Sequence, residues 1–330
     1  MLSSTFLGIT TFAYLLCMAL YFSYLFFRNE KFSKIISAVA ILGLLLNTAG
    51  LGLRWYESYK IGYGHIPLSN MYESLVSLAW TTVLLYLIIE YRYKIKTLGA
   101  LVFPIVSISM AYASLSPNIE NEIQPLVPAL QSNWLTYHVM TCFIAYSAFA
   151  VSFVTSILYL VKPEWWSRMF IFIFLILLEI LEIKFPDFLG KTNILRAVEF
   201  TILIWTIVYW KKLGKKPFEI KNAKQEILPL LKILDEIIYK TIAIGFLLLG
   251  VGIITGAVWA NYAWGTYWSW DPKETWSLIT WFIYAAFIHA RLTRDWRGKK
   301  AAIISIVGFC CVLFTFLGVN YLLSGLHSYA

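Results

Sequence analysis

Charged residues are scarce in this sequence. They make up 14% of the chain, and 60% of its residues are hydrophobic, whereas soluble domains carry about 25% charged residues. A chain with this balance cannot cover a globular surface with polar side chains. The composition therefore excludes a soluble protein and predicts that almost every segment is a membrane span or a short connection.

Cysteines are also few, and none of them belongs to a C-x-x-C motif. This absence excludes a thiol redox motif or a zinc motif of that kind. It also excludes a C-x-x-C-H motif, so the chain does not hold haem covalently as a c-type cytochrome does. The simplest interpretation of the four cysteines is that they are small buried residues of apolar helices. They are Cys17, Cys142, Cys310 and Cys311.

Acidic residues are outnumbered by basic ones, and the net charge is +9. This excess does not predict nucleic-acid binding, because 21 of the 27 Lys and Arg residues lie in five segments between apolar runs. Basic loops stay on the cytoplasmic side of a membrane. We therefore expect the N-terminus, the tryptophan-rich loop and the C-terminal tail on the outer side. The five segments are 28–34, 92–96, 162–168, 211–240 and 291–300.

Long apolar runs predict an all-α polytopic membrane protein with about 8–10 transmembrane helices, since about 20 residues cross the hydrocarbon core. Two further runs, 169–185 and 194–211, form a hairpin that either spans the membrane or lies on its surface. Without this hairpin the count is eight, and the expected orientation is the same. The other predicted spans are 5–27, 35–53, 71–91, 98–116, 134–161, 240–260, a run ending near 292, and 301–321.

The chain divides by composition into three predicted regions. Residues 1–168 form a five-helix membrane region, and residues 240–330 form a core around the tryptophan-rich loop. Between them, 169–239 contains the hairpin and a basic cytoplasmic segment. Apolar residues share one face of 227–238, which predicts an amphipathic helix at the membrane surface.

Tryptophans are concentrated in one stretch, residues 259–281, between two apolar helices. A belt of aromatic residues at the membrane interface is one explanation, because these rings combine an apolar body with a polar group. Six in one stretch exceed what a belt needs. A shelf for a flat, largely apolar ligand such as a porphyrin is the alternative. The tryptophans are Trp259, Trp264, Trp268, Trp270, Trp276 and Trp281.

The sequence has only four histidines, and histidine is a common axial ligand of haem iron. His138 lies one turn inside the outer end of the fifth predicted span, and His327 lies in the tail. Both therefore fall on the side of the tryptophans and could bind one haem. Taken singly, His138 is also typical of an interfacial residue, and His327 of a disordered tail.

The other two histidines fall elsewhere. Asp271, Pro272 and Glu274 predict a capped helix start. His289 lies 17 residues beyond Pro272, or about 25 Å deeper. It is either a functional residue of the inner leaflet or a histidine that reaches the inner interface. His65 is the weaker ligand candidate and could instead orient its loop.

Four motifs together resemble the CcsA-type (ResC-like) proteins of system II cytochrome c biogenesis. The long run from 233 to 292 resembles their WWD domain, the tryptophan-rich segment associated with haem. The segments GHIPLSNMYESL, QSNWLTYHVM and FLGVNYLLSGLHSY match the same family, so the resemblance covers most of the chain in order. Residues 169–213 look like an insertion, and no function is carried over to them.

The resemblance implies a component of a cytochrome c synthase that handles haem b transiently and without covalent attachment. His138 and His327 match the family's external haem ligands, and His289 matches a membrane-embedded histidine. The implied partners are a CcsB-type membrane protein, apocytochrome c and thiol-reducing proteins. The membrane would be cytoplasmic or of thylakoid type. The candidate cofactor-binding residues are His138, His327, His289, Trp264, Trp268, Trp270 and Asp271, with Asn261 and Lys273 near the propionates.

Three rival functions remain at this point. One is a haem delivery or lyase subunit of another maturation route that uses a WWD protein. The second is a membrane transporter of a non-haem substrate, with tryptophans at its outer vestibule. The third is a purely structural membrane subunit, which would tolerate histidine substitution.

Overall fold

A computed structural model describes residues 2–25, 29–116, 119–161, 223–323 and 325. Within these ranges the chain is helical and contains no β-strand. The helices are α1 (Leu2–Tyr24), α2 (Glu30–Lys60), α3 (Met71–Tyr93), α4 (Gly99–Leu115), α5 (Asn133–Leu160), α6 (Ala223–Trp264), α7 (Pro272–Arg294), α8 (Lys299–Leu313) and α9 (Val319–Leu322), with 3-10 turns at Lys96–Leu98 and Pro128–Leu130 and a π turn at Phe314–Gly318.

Seven of the described helical segments are long and apolar enough to cross a membrane. They are α1 to α6 and the continuous run of α8, the π turn and α9. The predicted all-α polytopic membrane protein is therefore confirmed. The hairpin predicted for 169–211 lies outside the described residues, so the total of eight to ten spans remains a prediction.

Helix α7 is not among the seven, because its tryptophans, threonines and basic residues give it a lower hydropathy. It nevertheless runs the length of its neighbours. Near its start, the Lys273 Nζ atom lies 2.8 Å from Asn320 Oδ1. Near its end, Arg291 Nη2 lies 2.7 Å from Asp235 Oδ2 on α6. Its 23 residues extend about 34 Å at 1.5 Å per residue, which is enough to cross a hydrocarbon core of about 30 Å.

The amphipathic segment 227–238 is not a separate helix, and its location at the membrane surface stays a prediction. It is the first part of α6, a continuous helix of 42 residues that contains Pro229. Leu234 and Ile238 are fully buried in the protein core. On the polar face, Asp235 pairs with Arg291. Residues on both faces therefore contact the protein, whereas Leu228 is 58% exposed. The division into three regions stays a prediction.

The core consists of two apolar clusters that share α5. Helices α1 to α4 form one cluster, which also contains Val151 and Leu158 of α5. The other cluster joins α5 to α6, α7 and α8. At its centre the rings of Phe149 and Tyr284 stack at 3.8 Å between centroids and 4° between planes. Helix α5 thus fixes the two halves relative to each other.

At one end of the bundle α2 and α6 end, while α3, α5 and α7 begin; we call this the tryptophan end. A buried ion pair holds it together, with Arg54 Nε 2.7 Å from Glu73 Oε1. The two remaining guanidinium nitrogens donate to the carbonyl oxygens of Asn121 and Glu122 at 2.8 and 3.0 Å. Arg54 therefore ties the loop before α5 to α2 and α3.

The opposite end, which carries the basic residues after α7, is called the basic end. Here Glu90 is buried and accepts hydrogen bonds from Tyr21 and Tyr86, each at 2.5 Å. Ser37 donates to its other oxygen, and Lys96 forms an ion pair with it at 2.9 Å. A buried carboxylate with four donors is satisfied, so this cluster stabilises the packing of α1 to α4.

Replacing Glu73 with glutamine should destabilise the protein strongly. It leaves the Arg54 charge buried without its counter-ion, which costs roughly 3–5 kcal/mol of unfolding free energy. The measurement is the melting temperature of the purified protein in detergent. The control is Glu236→Gln, which removes the exposed Lys240–Glu236 pair and should change the melting temperature little. Equal shifts in the two variants would contradict the role assigned to Arg54.

Candidate functional site

A pocket lies at the tryptophan end, between α3, α5, α6, α7 and the π turn. Its cavity volume is about 160 Å³. The empty space including the open mouth of the pocket is about 1170 Å³. The walls are mostly apolar. The lining includes Met71, Leu135, His138, Val139, Cys142, Phe143, Tyr146, Leu249, Ile253, Gly256, Trp259, Trp268, Lys273, Phe316 and Asn320.

His138 is placed in this pocket by the start of α5. Ser132 caps the helix by accepting a hydrogen bond from Trp134 N at 3.3 Å, and His138 follows in the second turn. Its Nδ1 atom lies 2.7 Å from the carbonyl oxygen of Gly252 on α6. A carbonyl can only accept, so Nδ1 carries the proton and the lone pair of the neutral ring is on Nε2. This tautomer is the one found in histidines that bind metals through Nε2.

Two glycines of α6 make room for this contact. A Cβ atom at position 256 would lie 2.7 Å from His138 Nδ1, and one at position 252 would lie 2.7 Å from Cys142 Sγ. Both positions must therefore stay without a side chain if α5 and α6 are to approach so closely. Sequence reasoning missed this pair. Its signal is the spacing Gly252-x-x-x-Gly256, which in apolar helices marks close packing.

Trp259 forms a second wall beside His138. The two rings stack with centroids 6.0 Å apart and planes 17° apart. The indole Nε1 donates to Ala129 O at 2.8 Å, and only 1% of the side chain is exposed. Trp264 packs edge-on against Trp259 at 4.9 Å and is absent from the pocket lining among the described residues. Trp264 therefore supports the wall instead of forming the predicted shelf itself.

The other tryptophans of the predicted shelf have different environments. Trp268 lines the pocket and meets Trp270 edge-on at 5.7 Å. Trp270 is 70% exposed and has a φ of +60°, a left-handed conformation that is uncommon outside glycine. The structure thus brings Trp268 to the pocket with His138 and leaves Trp270 exposed at the protein surface.

Asp271 holds the turn that carries these rings. It is buried, and its carboxylate accepts from Lys273 N at 2.9 Å. The Glu274 carboxylate accepts from the backbone N–H groups of Ser269 and Asp271 at 2.9 and 3.3 Å. The predicted capping box is confirmed. Asp271 therefore shapes the loop, and it is not among the described residues that line the pocket.

Lys273 and Glu274 are the charged side chains among the described residues of the pocket lining. The Lys273 Nζ atom donates to Asn320 Oδ1 at 2.8 Å. Asn320 follows the π turn at Phe314–Gly318, and π turns are frequent at functional sites. Asn261, predicted alongside Lys273, is not in the described lining.

The two remaining described histidines lie away from the pocket. His289 is exposed on α7, two residues before Arg291 of the basic end. The His65 ring is buried, and its nitrogens contact the carbonyl oxygens of Ile66 at 3.1 Å and Gln124 at 2.9 Å. His65 therefore orients its loop, as one interpretation of the sequence expected.

His327 lies outside the described residues, so its pairing with His138 stays a prediction. Gly325 is the last residue of the tail that the structure describes. A Cβ atom at this position would collide with the Asp271 carboxylate. The tail therefore passes over the start of α7, two residues before His327.

Comparisons with known proteins cover the whole site. The family described as Cytochrome C assembly protein matches residues 68–327. A "Cytochrome c biogenesis protein CcsA" from Heterosigma akashiwo is 40% identical over 318 residues, 96% of this chain and 91% of the relative. Proteins with the same name are 40% identical in Guillardia theta, over 88% and 83% of the two chains, and 38% identical in Synechococcus sp., over 98% and 97%.

Substituting Gly256 with valine should disturb the contact of α5 with α6. The new side chain meets the His138 ring, and overpacking of this kind costs roughly 1–3 kcal/mol. We expect a lower melting temperature in detergent. The control is Gly52→Val on α2, where a Cβ atom meets no other group within 4 Å. A Gly256 variant as stable as the Gly52 variant would contradict the packing described.

Proposed function

This chain belongs to the cytochrome c assembly protein family, and we propose that it binds haem at the tryptophan end and presents it to apocytochrome c. Its relatives carry the name cytochrome c biogenesis protein. Haem is the substrate here, held without covalent bonds until it is attached to the C-x-x-C-H motif of the apocytochrome. The proposal concerns the axial histidine ligand, the pocket that would hold the haem, and the apocytochrome that would receive it.

The hydrogen bond from His138 Nδ1 to Gly252 O carries the proposal. It leaves Nε2 with the lone pair that iron requires, and a histidine held in this way is a stronger ligand because the acceptor increases its basicity. Stacking against Trp259 restricts rotation of the ring. His138 would thus be a pre-oriented axial ligand, and His327 of the tail would bind on the other side of the iron.

The composition of the pocket supports haem as the substrate. Haem combines an apolar macrocycle with two carboxylates. Phe143, Phe316 and Trp268 supply apolar and aromatic walls, and Lys273 supplies a positive charge for a propionate. The closed part of the pocket is small, so the macrocycle would enter edge first, with its remaining part at the open mouth. A vinyl edge at the mouth would be reachable by another protein.

The reaction needs positioning more than it needs acid–base groups. Each cysteine S–H adds across a haem vinyl group: sulfur bonds to the vinyl carbon next to the ring, and hydrogen is added to the terminal carbon. The addition consumes no external oxidant or reductant. This chain would contribute by holding the vinyl edge in a fixed orientation and by excluding water from the pocket. The axial histidine of the new cytochrome then replaces His138 or His327 on the iron.

Orientation and partners follow from the same proposal. The basic end would face the cytoplasm, and the tryptophan end and the C-terminal tail would then lie outside. His289 is exposed on α7 near the basic end. It would bind haem entering from the inner side together with a ligand from a CcsB-type partner, because no described histidine of this chain lies near it. Thiol-reducing proteins would keep the apocytochrome cysteines reduced.

His138→Gly should abolish the Soret absorption of the outer haem in protein purified with its companion, and it should abolish formation of holocytochrome c. Imidazole added to the medium should restore the absorption, because it can occupy the space left by the missing ring. His327→Gly should behave in the same way. Tyr137→Ala is the matched control, since Tyr137 is the exposed neighbour on α5 and lies outside the pocket.

Normal cytochrome c yield in the double histidine variant would overturn the mechanism. Purified wild-type protein without a Soret band would favour the transporter or the structural subunit instead. A haem lyase subunit of another maturation route would show the band but would depend on a different set of companion proteins.

A further inference from the structure

A second groove lies at the tryptophan end, next to the pocket that contains His138. Its cavity volume is about 840 Å³. The end of α2, the turn after it, the loop before α5 and the end of α6 enclose it. Partly or largely exposed aromatic side chains surround it, with between 43% and 63% of each side chain exposed: Trp55, Tyr59, Tyr63, Trp134 and Tyr262.

The two walls of this groove are joined by a buried histidine. One wall is the turn after α2, in which Gly62 and Gly64 have φ values of +88° and +61°. The other wall is the loop before α5. His65 spans the two through its Nε2 atom, 2.9 Å from Gln124 O. Ser58 Oγ holds the same turn by donating to His65 O at 2.7 Å. The shape of the groove is therefore fixed by hydrogen bonds, and His65, which makes one of them, is not a ligand in the proposed haem site.

The chemistry of the groove favours an uncharged occupant. No Asp, Glu, Lys or Arg occurs among the described residues that line it. Basic side chains would be expected around a lipid phosphate or an acidic peptide. Aromatic rings with polar groups, together with Ser132, Asn133 and Gln131, are suited to a peptide with small or apolar side chains.

The groove and the pocket of His138 share a wall. Leu68, Ser69, Leu130 and Leu135 line both of them. A peptide in the groove would thus lie one side chain away from a haem in the pocket.

We propose that this groove binds the segment of apocytochrome c that contains the uncharged C-x-x-C pair, in an extended conformation, before the thioether bonds form. This inference rests on the proposed function, because it takes haem as the occupant of the neighbouring pocket. It assigns the turn after α2, which contains residues 64–67, and the loop before α5 to recognition of the protein substrate.

Site-specific cross-linking tests the location. A photoreactive phenylalanine analogue replaces Tyr59 in the full chain, expressed with its companion and with an apocytochrome c whose C-x-x-C cysteines are serines. We expect a cross-link to this apocytochrome. The control places the analogue at Tyr56, which is 66% exposed on the same helix but outside the groove. Cross-links only to lipid, only to the companion protein, or equally from both positions would overturn the proposal.

A functional test separates the groove from the haem site. Combining Tyr59→Ala with Trp134→Ala should lower holocytochrome c yield about tenfold, the scale of truncated hot spots, while the Soret absorption per protein stays unchanged. Tyr56→Ala combined with Tyr137→Ala is the control and should keep the wild-type yield. Unchanged yield in the first pair overturns the groove. A wild-type protein without bound haem would instead refute the proposed function.

Discussion

The close approach of α5 to α6 is the contact on which the site depends. Gly252 and Gly256 remove the side chains that would otherwise separate the two helices, and the vacated space receives His138 and Cys142. The carbonyl oxygen of Gly252 accepts a hydrogen bond from Thr255 Oγ1 within α6 at 3.1 Å, and it also accepts from His138 Nδ1 at 2.7 Å. One backbone oxygen therefore decides the tautomer of the proposed ligand, and the packing of two membrane helices decides where that oxygen lies.

The aromatic residues around this contact have different structural roles. Trp259 is a buried packing residue, fixed by its hydrogen bond to Ala129, and Trp264 supports it. Of the tryptophans predicted for the shelf, Trp259 and Trp268 both line the pocket. Trp270 is held outward by the capping box of α7. The high density of tryptophans thus serves two functions, a packed core at the tryptophan end and a small face toward the pocket.

Charged groups hold the ends of the bundle in place. At the tryptophan end Arg54 and Glu73 are both buried and satisfied, and they anchor the loop that forms one wall of the groove. At the basic end Asp235 forms an ion pair with Arg291 and accepts a hydrogen bond from the N–H of Gly298. These contacts fix α7 against α6. A buried pair of this kind is weak evidence for net stability. Here its effect is positional, because Arg54 also holds the carbonyl groups of Asn121 and Glu122, and Asp235 holds Arg291 of a different helix.

The sequence by itself determined the fold class, the family and the identity of His138 as a ligand candidate, because hydropathy, basic loops and motif order are local properties of the chain. It also located the capping box, since Asp271 and Glu274 are three residues apart. It did not reveal that 227–238 continues into α6, that Trp264 and Asp271 stand behind the pocket, or that Gly252 faces His138. The contact of His138 with Gly252 joins residues 114 positions apart, and Trp259 reaches Ala129 across 130 positions. Only the packing of the helices brings such residues together.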